Sequence, residues 1–205
     1  MALTPLALPD ADVALDDAWL RRGDADALLA GLLATVPWGV HRIRLFGREV
    51  DSPRLSCWIG DPQATYTYSG TRFTPQPWPN LLLPLRARLQ RELGVDFNSV
   101  LANMYRTGCD RMGWHSDNER ELGAQPMIAS VSLGATRRFV LKQKSAHPEP
   151  VEGRDGSSPK LALDLPHGSL LVMAGDTQAH YKHALPATAK AVGPRINLTF
   201  RRIVR

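Results

Sequence analysis

From Phe97 onward the chain falls into six short runs, SVLANMY, MIASVSLG, RRFVLKQ, KLALDL, SLLVMAG and RINLTFRRI, parted by turn-forming residues. Short alternating runs of this kind cannot bury their apolar side chains alone and must pair into sheets, which predicts a mainly β sandwich or jelly roll. The last run is the most restrictive. In an extended strand Arg195, Asn197, Thr199 and Arg201 fall on one face, and Ile196, Leu198 and Phe200 on the other. The apolar face packs on the fold, so the polar face looks into a cavity or into water. Two arginines inside a barrel are costly unless they meet anions. A dicarboxylate would satisfy both, one carboxylate for each guanidinium. An edge strand with its polar side in solvent is the alternative, and this strand alone does not choose between them.

The N-terminal half reads differently. Asp24 is positioned to cap a helix through ALLAGLLATV, with Leu28, Leu29, Leu32, Leu33 and Val36 as its apolar stripe and Pro37 as its stop. HRIRLFGREV alternates on both sides of Phe46-Gly47, a hairpin with a tight tip. ATYTYSG is a strand with Tyr66 and Tyr68 on one face. NLLLPLRARLQRELG is a helix capped by Asn80 and ended by Gly94, with Leu82, Leu85, Leu89 and Leu93 buried and its arginines toward water. The segment 145–159, SAHPEPVEGRDGSSP, reads as a flexible surface insertion. One domain over 1–205 is expected, with helices and hairpin in 1–96 and the β core in 97–205.

Composition narrows the function classes. With 43% hydrophobic and 22% charged residues the chain is of globular type. Its net charge of +5 is uneven: six Asp against Arg21 and Arg22 give residues 1–40 a charge of −4, leaving +9 for the remainder. A basic body suits a polyanion such as nucleic acid. Two cysteines, Cys57 and Cys109, are too few for a disulfide framework, so a reducing cytoplasm is expected. No secretory signal and no membrane span are expected, and the chain is expected to act as a monomer.

Candidate chemistry begins at His115-Ser116-Asp117. In an extended segment these two ligand types share a face and can grip one cation. His183 in HYKHALP is the best third ligand, with His180 as its rival. Two histidines and one carboxylate suit non-haem Fe(II), with positions left for a co-substrate and O2. Asn103 and Tyr105, again two apart on a strand, could complete the hydrogen bonding of the same anion.

The segments NMYRTGCDRMGWHSDNERELGAQPMIASVSLGATRRFVLK, HGSLLVMAGDTQAHYKHALP and PRINLTFRRI resemble the AlkB family of iron- and 2-oxoglutarate-dependent nucleic-acid dealkylases, closest to the animal DNA-repair branch. The resemblance runs from about Arg42 to the end. It implies a double-stranded β-helix with an N-terminal α/β nucleotide-recognition lid. It implies His115, Asp117 and His183 as iron ligands. It implies Asn103, Tyr105, Arg195 and Arg201 as 2-oxoglutarate contacts, with Asn197 and Thr199 on the same strand. Arg195 is expected on the distal carboxylate and Arg201 on the one beside the keto group.

The implied reaction consumes Fe(II)-bound 2-oxoglutarate and O2. It yields succinate and CO2, and hydroxylates a methyl group on a base nitrogen that then leaves as formaldehyde. The implied substrates are 1-methyladenine and 3-methylcytosine in single- or double-stranded DNA, with RNA as an alternative and a non-catalytic nucleic-acid-binding relative as another. A methylated base pairs poorly and is cheaper to extrude. Tyr68 and the His115 imidazole would sandwich it, Tyr66 and Glu119 would reach its edge, and Arg54 would stand at the pocket entrance. Phe46, with Gly47 and Arg48, would form a finger entering the duplex, as apolar wedges do. Asn118 departs from the acid that this branch often carries. The segment between Leu185 and Arg195 holds only Lys190 where the branch is more basic.

Overall fold

The computed structural model describes residues 2–45, 48–68, 71–144 and 160–204, with backbone alone at 42–45, 48–49, 66–68 and 71–73. The chain opens with β1 (Thr4–Pro5), β2 (Asp12–Asp16) and the helix α1 (Arg22–Thr35). A hairpin of β3 (Gly39–Leu45) and β4 (Arg48–Gly60) follows, then a ribbon of β5 (Tyr66–Tyr68) and β6 (Thr71–Phe73), and the helix α2 (Leu83–Leu93). Next come β7 (Ser99–Tyr105), β8 (Met112–His115), β9 (Ile128–Gly134), β10 (Arg137–Gln143), β11 (Lys160–Leu165) and β12 (Leu170–Ala174). A single helical turn, α3 (Thr177–His180), leads into β13 (Tyr181–Leu185), and β14 (Arg195–Arg201) completes the set. The tip at Phe46-Gly47 and the insertion 145–159 lie outside the described residues.

An eight-stranded antiparallel sheet has the order β1-β2-β12-β9-β14-β7-β4-β3, and a four-stranded one the order β11-β10-β13-β8. This is the jelly-roll arrangement, in which neighbours in space are distant in sequence. β4 pairs with β7 and β2 with β12, so strands from both sides of residue 96 share one sheet. β14 is central, hydrogen-bonded to β7 on one side and β9 on the other. That settles the choice its sequence left open. It is no edge strand, and all seven of its residues are buried.

The two faces of the large sheet are filled differently. Ile196, Leu198 and Phe200 join Val131, Leu133, Ala102 and Ile59 beneath Leu32 of α1 and Leu82, Leu85 and Leu89 beside and within α2. On the opposite face Ile128, Leu171 and Met173 meet Phe139, Leu141 and Tyr181 of the small sheet. The remaining inner space between the sheets brings polar side chains of β7, β8, β13 and β14 together among apolar neighbours and forms the site.

Several local expectations need correction. α1 begins at Arg22 with no side-chain cap, so Asp24 sits in its first turn and favours the helix through the dipole instead. Leu33 is exposed, outside the stripe that Ala25, Leu32 and Val36 bury. Asn80 starts a 3-10 turn preceding α2 and does not cap it, whereas Gly94 does end α2, at φ 69°. Arg86 and Arg88 are not free in water. Arg86 lies 4.7 Å over Trp78 and Arg88 4.1 Å over Trp19. Asp61 accepts from the Trp78 indole at 2.8 Å and from Arg86 at 2.9 and 3.0 Å, and Glu92 accepts from Trp19 at 2.7 Å and Arg88 at 2.8 Å. These two clasps hold α2 against its surroundings. β1 and β2, in the acidic leader, were not legible as strands because β1 pairs only with β2, and β2 is fixed by long-range pairing with β12. Among the described residues no helix is long and apolar enough to cross a membrane.

Gly134 ends β9 opposite Arg195, at φ 85°, and a Cβ there would lie 2.3 Å from the Pro194 carbonyl oxygen. Gly134→Ala therefore combines left-handed strain with overlap and should lower stability by roughly 2–4 kcal/mol in urea unfolding. A loss below about 1 kcal/mol would contradict this packing.

Candidate active site

β8 and β13 run antiparallel, and His115 stands directly opposite His183. Their ring centroids are 4.2 Å apart. A register shift between His183 and Leu185 lets both Met112 and His115 face inward, as a β-bulge re-aims a side chain. His115 Nδ1 donates to the Gly113 carbonyl at 2.8 Å, which leaves Nε2 as the ligating nitrogen, 3.8 Å from Asp117 Oδ1. One donor atom from each of His115, Asp117 and His183 lies within 4.8 Å of the others. Two imidazoles and a carboxylate converging in a buried pocket form a donor set that fits Fe(II). His180, the rival third ligand, is exposed on α3 and neither packs in the core nor reaches the cluster.

The turn carrying Asp117 is tied down on the side of β13. Ser116 Oγ donates to the Tyr181 carbonyl at 2.7 Å, and the Asp117 backbone N–H donates to Gln178 Oε1 at 2.9 Å. Lys144 Nζ in turn donates to the Gln178 carbonyl at 2.8 Å. Sequence reasoning missed Gln178, whose only hint was its nearness to HYKH.

β14 supplies the polar wall opposite. Arg201 Nη2 donates to Asp117 Oδ2 at 2.7 Å. Arg195 Nη2 donates to Ser132 Oγ at 2.9 Å and to Asn197 Oδ1 at 3.0 Å, while Asn197 Nδ2 donates to Thr199 Oγ1 at 2.8 Å. Ser130 Oγ also donates to Asn197 Oδ1, at 3.0 Å. Arg195 Nε is buried without a hydrogen-bond partner, and no carboxylate pairs with this guanidinium among the described residues. A buried donor of this kind suits an anionic ligand. Asn103 and Tyr105 on β7 stand opposite Asn197 and Arg195, and the Tyr105 ring lies 5.4 Å below the Arg195 guanidinium. All of these side chains except Ser132 line one partly open pocket with the three candidate ligands. Arg137 escaped sequence reasoning. It is buried against Tyr105 and donates to the carbonyls of Thr107, Asp110 and Pro186.

Arg54 is buried on β4 and donates to Asn103 Oδ1 at 2.7 Å. Asn118 is exposed just past Asp117, and Glu119 is half-buried with Oε2 lacking a hydrogen-bond partner among the described residues. Tyr66 and Tyr68 lie on β5 and Arg48 begins β4, but their side chains, like Phe46 and Gly47, lie outside the described residues.

Electrostatics prepares the cluster for a cation. Burial, reinforced by His115, pushes His183 down to about 3, and burial lowers His115 against the opposing pull of Asp117. Both imidazoles are thus neutral near pH 7, as ligands must be. Burial works against ionisation of Asp117, but Arg201 and the two histidines outweigh it and hold the carboxyl well below its usual range. Burial lowers Arg195 to about 10, so it stays cationic. The unfolded chain takes up protons on its histidines below pH 6.5 while native His183 does not, so stability falls as pH drops from 6.5 toward 3. The Asp117 contribution, present above the unfolded value of 3.8, is lost only below that. Metal-free protein should therefore lose about 2 kcal/mol through His183 between pH 7 and pH 5 in urea titrations. His183→Leu should flatten that slope, and an unchanged slope would refute the assignment.

Comparison with known proteins agrees with this geometry. The profile described as the 2OG-Fe(II) oxygenase superfamily matches residues 12–201. Human DNA oxidative demethylase ALKBH2 is 39% identical over 191 residues, covering 89% of this chain and 70% of that protein. Human alpha-ketoglutarate-dependent dioxygenase alkB homolog 3 is 40% identical over 182 residues, covering 88% of this chain and 62% of that one. Arabidopsis thaliana ALKBH2 is 41% identical over 186 residues, covering 82% and 59% respectively. A solved Pseudomonas putida prolyl-4-hydroxylase shares the fold, with a TM-score of 0.56 at 16% identity over 94% of this chain and 93% of that one. With His115, Asp117 and His183 gathered against a wall of buried arginines, the chain belongs to the 2OG-Fe(II) oxygenase superfamily, whose members use Fe(II), 2-oxoglutarate and O2.

Proposed function

We propose that this dioxygenase removes N-methyl groups from DNA bases of the 1-methyladenine and 3-methylcytosine type. The observation that carries the chemistry is the meeting of a His-Asp-His cluster with Arg195, a buried cation lacking an anionic partner among the described residues. The DNA substrate is supported by relatives near 39% identity that are named DNA oxidative demethylases.

In this reading His115, Asp117 and His183 hold Fe(II). Bound there with 2-oxoglutarate and O2, the metal supplies the oxidation that turns N–CH3 into N–CH2OH, with succinate and CO2 as co-products. The C–N bond then breaks, its electron pair returns to the base nitrogen, the hydroxyl proton leaves to solvent, and the carbon departs as formaldehyde. Arg195 takes the distal carboxylate of 2-oxoglutarate, with Tyr105, Asn197 and Thr199 around it. Arg201 reaches the carboxylate beside the keto group while restraining Asp117. Asn103 donates from the facing strand. Tyr66, Tyr68, Asn118 and Glu119 receive the extruded base with the His115 ring, and Phe46, Gly47 and Arg48 engage the strand. In the same reading the chain acts as a monomer, and free Cys57 and Cys109 suit a reducing compartment.

The outer face of the small sheet supports a polyanionic partner. Lys142 is directly opposite Lys160 on one side and Lys182 on the other. Like charges in one cross-strand row destabilise a sheet, and no carboxylate pairs with these three among the described residues. Lys142 also lies 4.4 Å over the exposed ring of Trp114, next to His115. Phosphates would relieve the row and Trp114 offers a stacking surface.

The decisive assay incubates the protein with Fe(II), 2-oxoglutarate and oligonucleotides carrying 1-methyladenine or 3-methylcytosine, as single-stranded DNA, duplex DNA or RNA. Formaldehyde and the restored base are expected with DNA. Turnover of RNA alone, or no turnover of any methylated base while 2-oxoglutarate is consumed with another substrate, would refute the DNA reading. Lys142→Ala with Lys182→Ala should weaken oligonucleotide binding roughly three- to tenfold and lower its salt dependence. Unchanged salt dependence would remove the lysine row from the proposal.

A further inference from the structure

Arg54 is 7% exposed and does not line the pocket, whereas Asn103 does. Arg54 Nε donates to Asn103 Oδ1 at 2.7 Å, and its Nη1 donates to Ser52 Oγ at 3.0 Å. A guanidinium has donors only, so whichever end of the amide meets it must be the oxygen. The NH2 group of Asn103 is thereby turned to the other side. Asn103 is flanked in register by Ser56 on β4 and Asn197 on β14, so its place on the inner face is set by two neighbouring strands. What the strands leave open is the direction of the amide, since its two ends are nearly equal in shape.

We infer that Arg54 is a positioning residue that acts through Asn103, holding the amide so that Nδ2 donates into the pocket toward the anionic co-substrate. The inference rests on the reading of this pocket as the 2-oxoglutarate site. A carboxylate only accepts hydrogen bonds, so an amide turned the other way would present oxygen to oxygen. Arg54 removes that orientation, because flipping would set the NH2 group against a buried guanidinium. Its role is thus toward the co-substrate and not toward the base, which differs from the entrance position that the family resemblance implies.

The test is calorimetric titration of 2-oxoglutarate into the protein with Mn(II) in place of Fe(II), beside anisotropy titration with a 1-methyladenine oligonucleotide. Arg54→Ala is expected to weaken 2-oxoglutarate binding roughly tenfold, the scale of one lost charge-assisted hydrogen bond, with oligonucleotide affinity unchanged. In an Asn103→Ala background the same substitution should cause no further loss, because the two residues act as one unit. Arg54→Lys keeps the charge and donors but loses the planar fork, and should give an intermediate affinity. It also carries the test if the alanine variant does not fold. Additive losses in the double variant, or weaker oligonucleotide binding with normal 2-oxoglutarate binding, would overturn the inference. Wild-type protein that fails to bind 2-oxoglutarate would overturn the co-substrate reading itself.

Discussion

Arg201 and Asp117 are 84 residues apart in sequence and meet at 2.7 Å, both nearly sealed from water. Breaking a buried pair of this kind leaves an uncompensated charge and costs several kcal/mol, on the order of 3–5. The rest of the inner face is arranged around that constraint. Arg201 can be buried because Asp117 is fixed, and Asp117 is fixed because Gln178 and Ser116 tie its turn to the neighbourhood of β13. Arg195, six residues earlier on the same face, has hydroxyl and amide partners but no carboxylate among the described residues. One strand therefore carries a neutralised cation beside the metal ligands and a second that calls for a ligand anion.

The same alternation builds the core. Phe200 stacks on Trp78 at 6.1 Å on one side of β14, while its neighbours Thr199 and Arg201 face the pocket on the other. A shift of one residue in the register of β14 would bury the arginines beneath the helices and aim Ile196, Leu198 and Phe200 at the metal cluster. The Asp61–Trp78–Arg86 clasp therefore bears on the chemistry as well as on stability. It holds the apolar face of the sheet covered, and so helps fix which face is polar.

Legibility followed the range of the interactions. The His115/Asp117 spacing and the Arg195–Arg201 face could be read because period-two geometry is local, and the family resemblance then carried the assembly of the site. His183 could not be separated from His180 by pattern alone. The structure separates them by register, since His183 faces His115 while His180 stays exposed. Gln178, Arg137 and the Arg54–Asn103 contact were hidden because each depends on elements distant in sequence. Asp24 and Asn80 carried good cap chemistry, yet both helices start elsewhere, because packing of Leu32, Leu82 and Leu85 sets their ends more strongly than a cap does. β1 and β2 lay in a segment that reads as an acidic leader; β2 becomes a strand by pairing with β12, and β1 by pairing with β2.

A crystal structure of the protein with Mn(II) and 2-oxoglutarate, grown without oxygen, would show whether the β14 arginines hold the co-substrate beside the metal. One metal ion is expected on His115 Nε2, Asp117 and His183, with one carboxylate of 2-oxoglutarate at Arg201 and the other at Arg195. A metal held by other residues, or 2-oxoglutarate bound away from the β14 arginines, would contradict this arrangement.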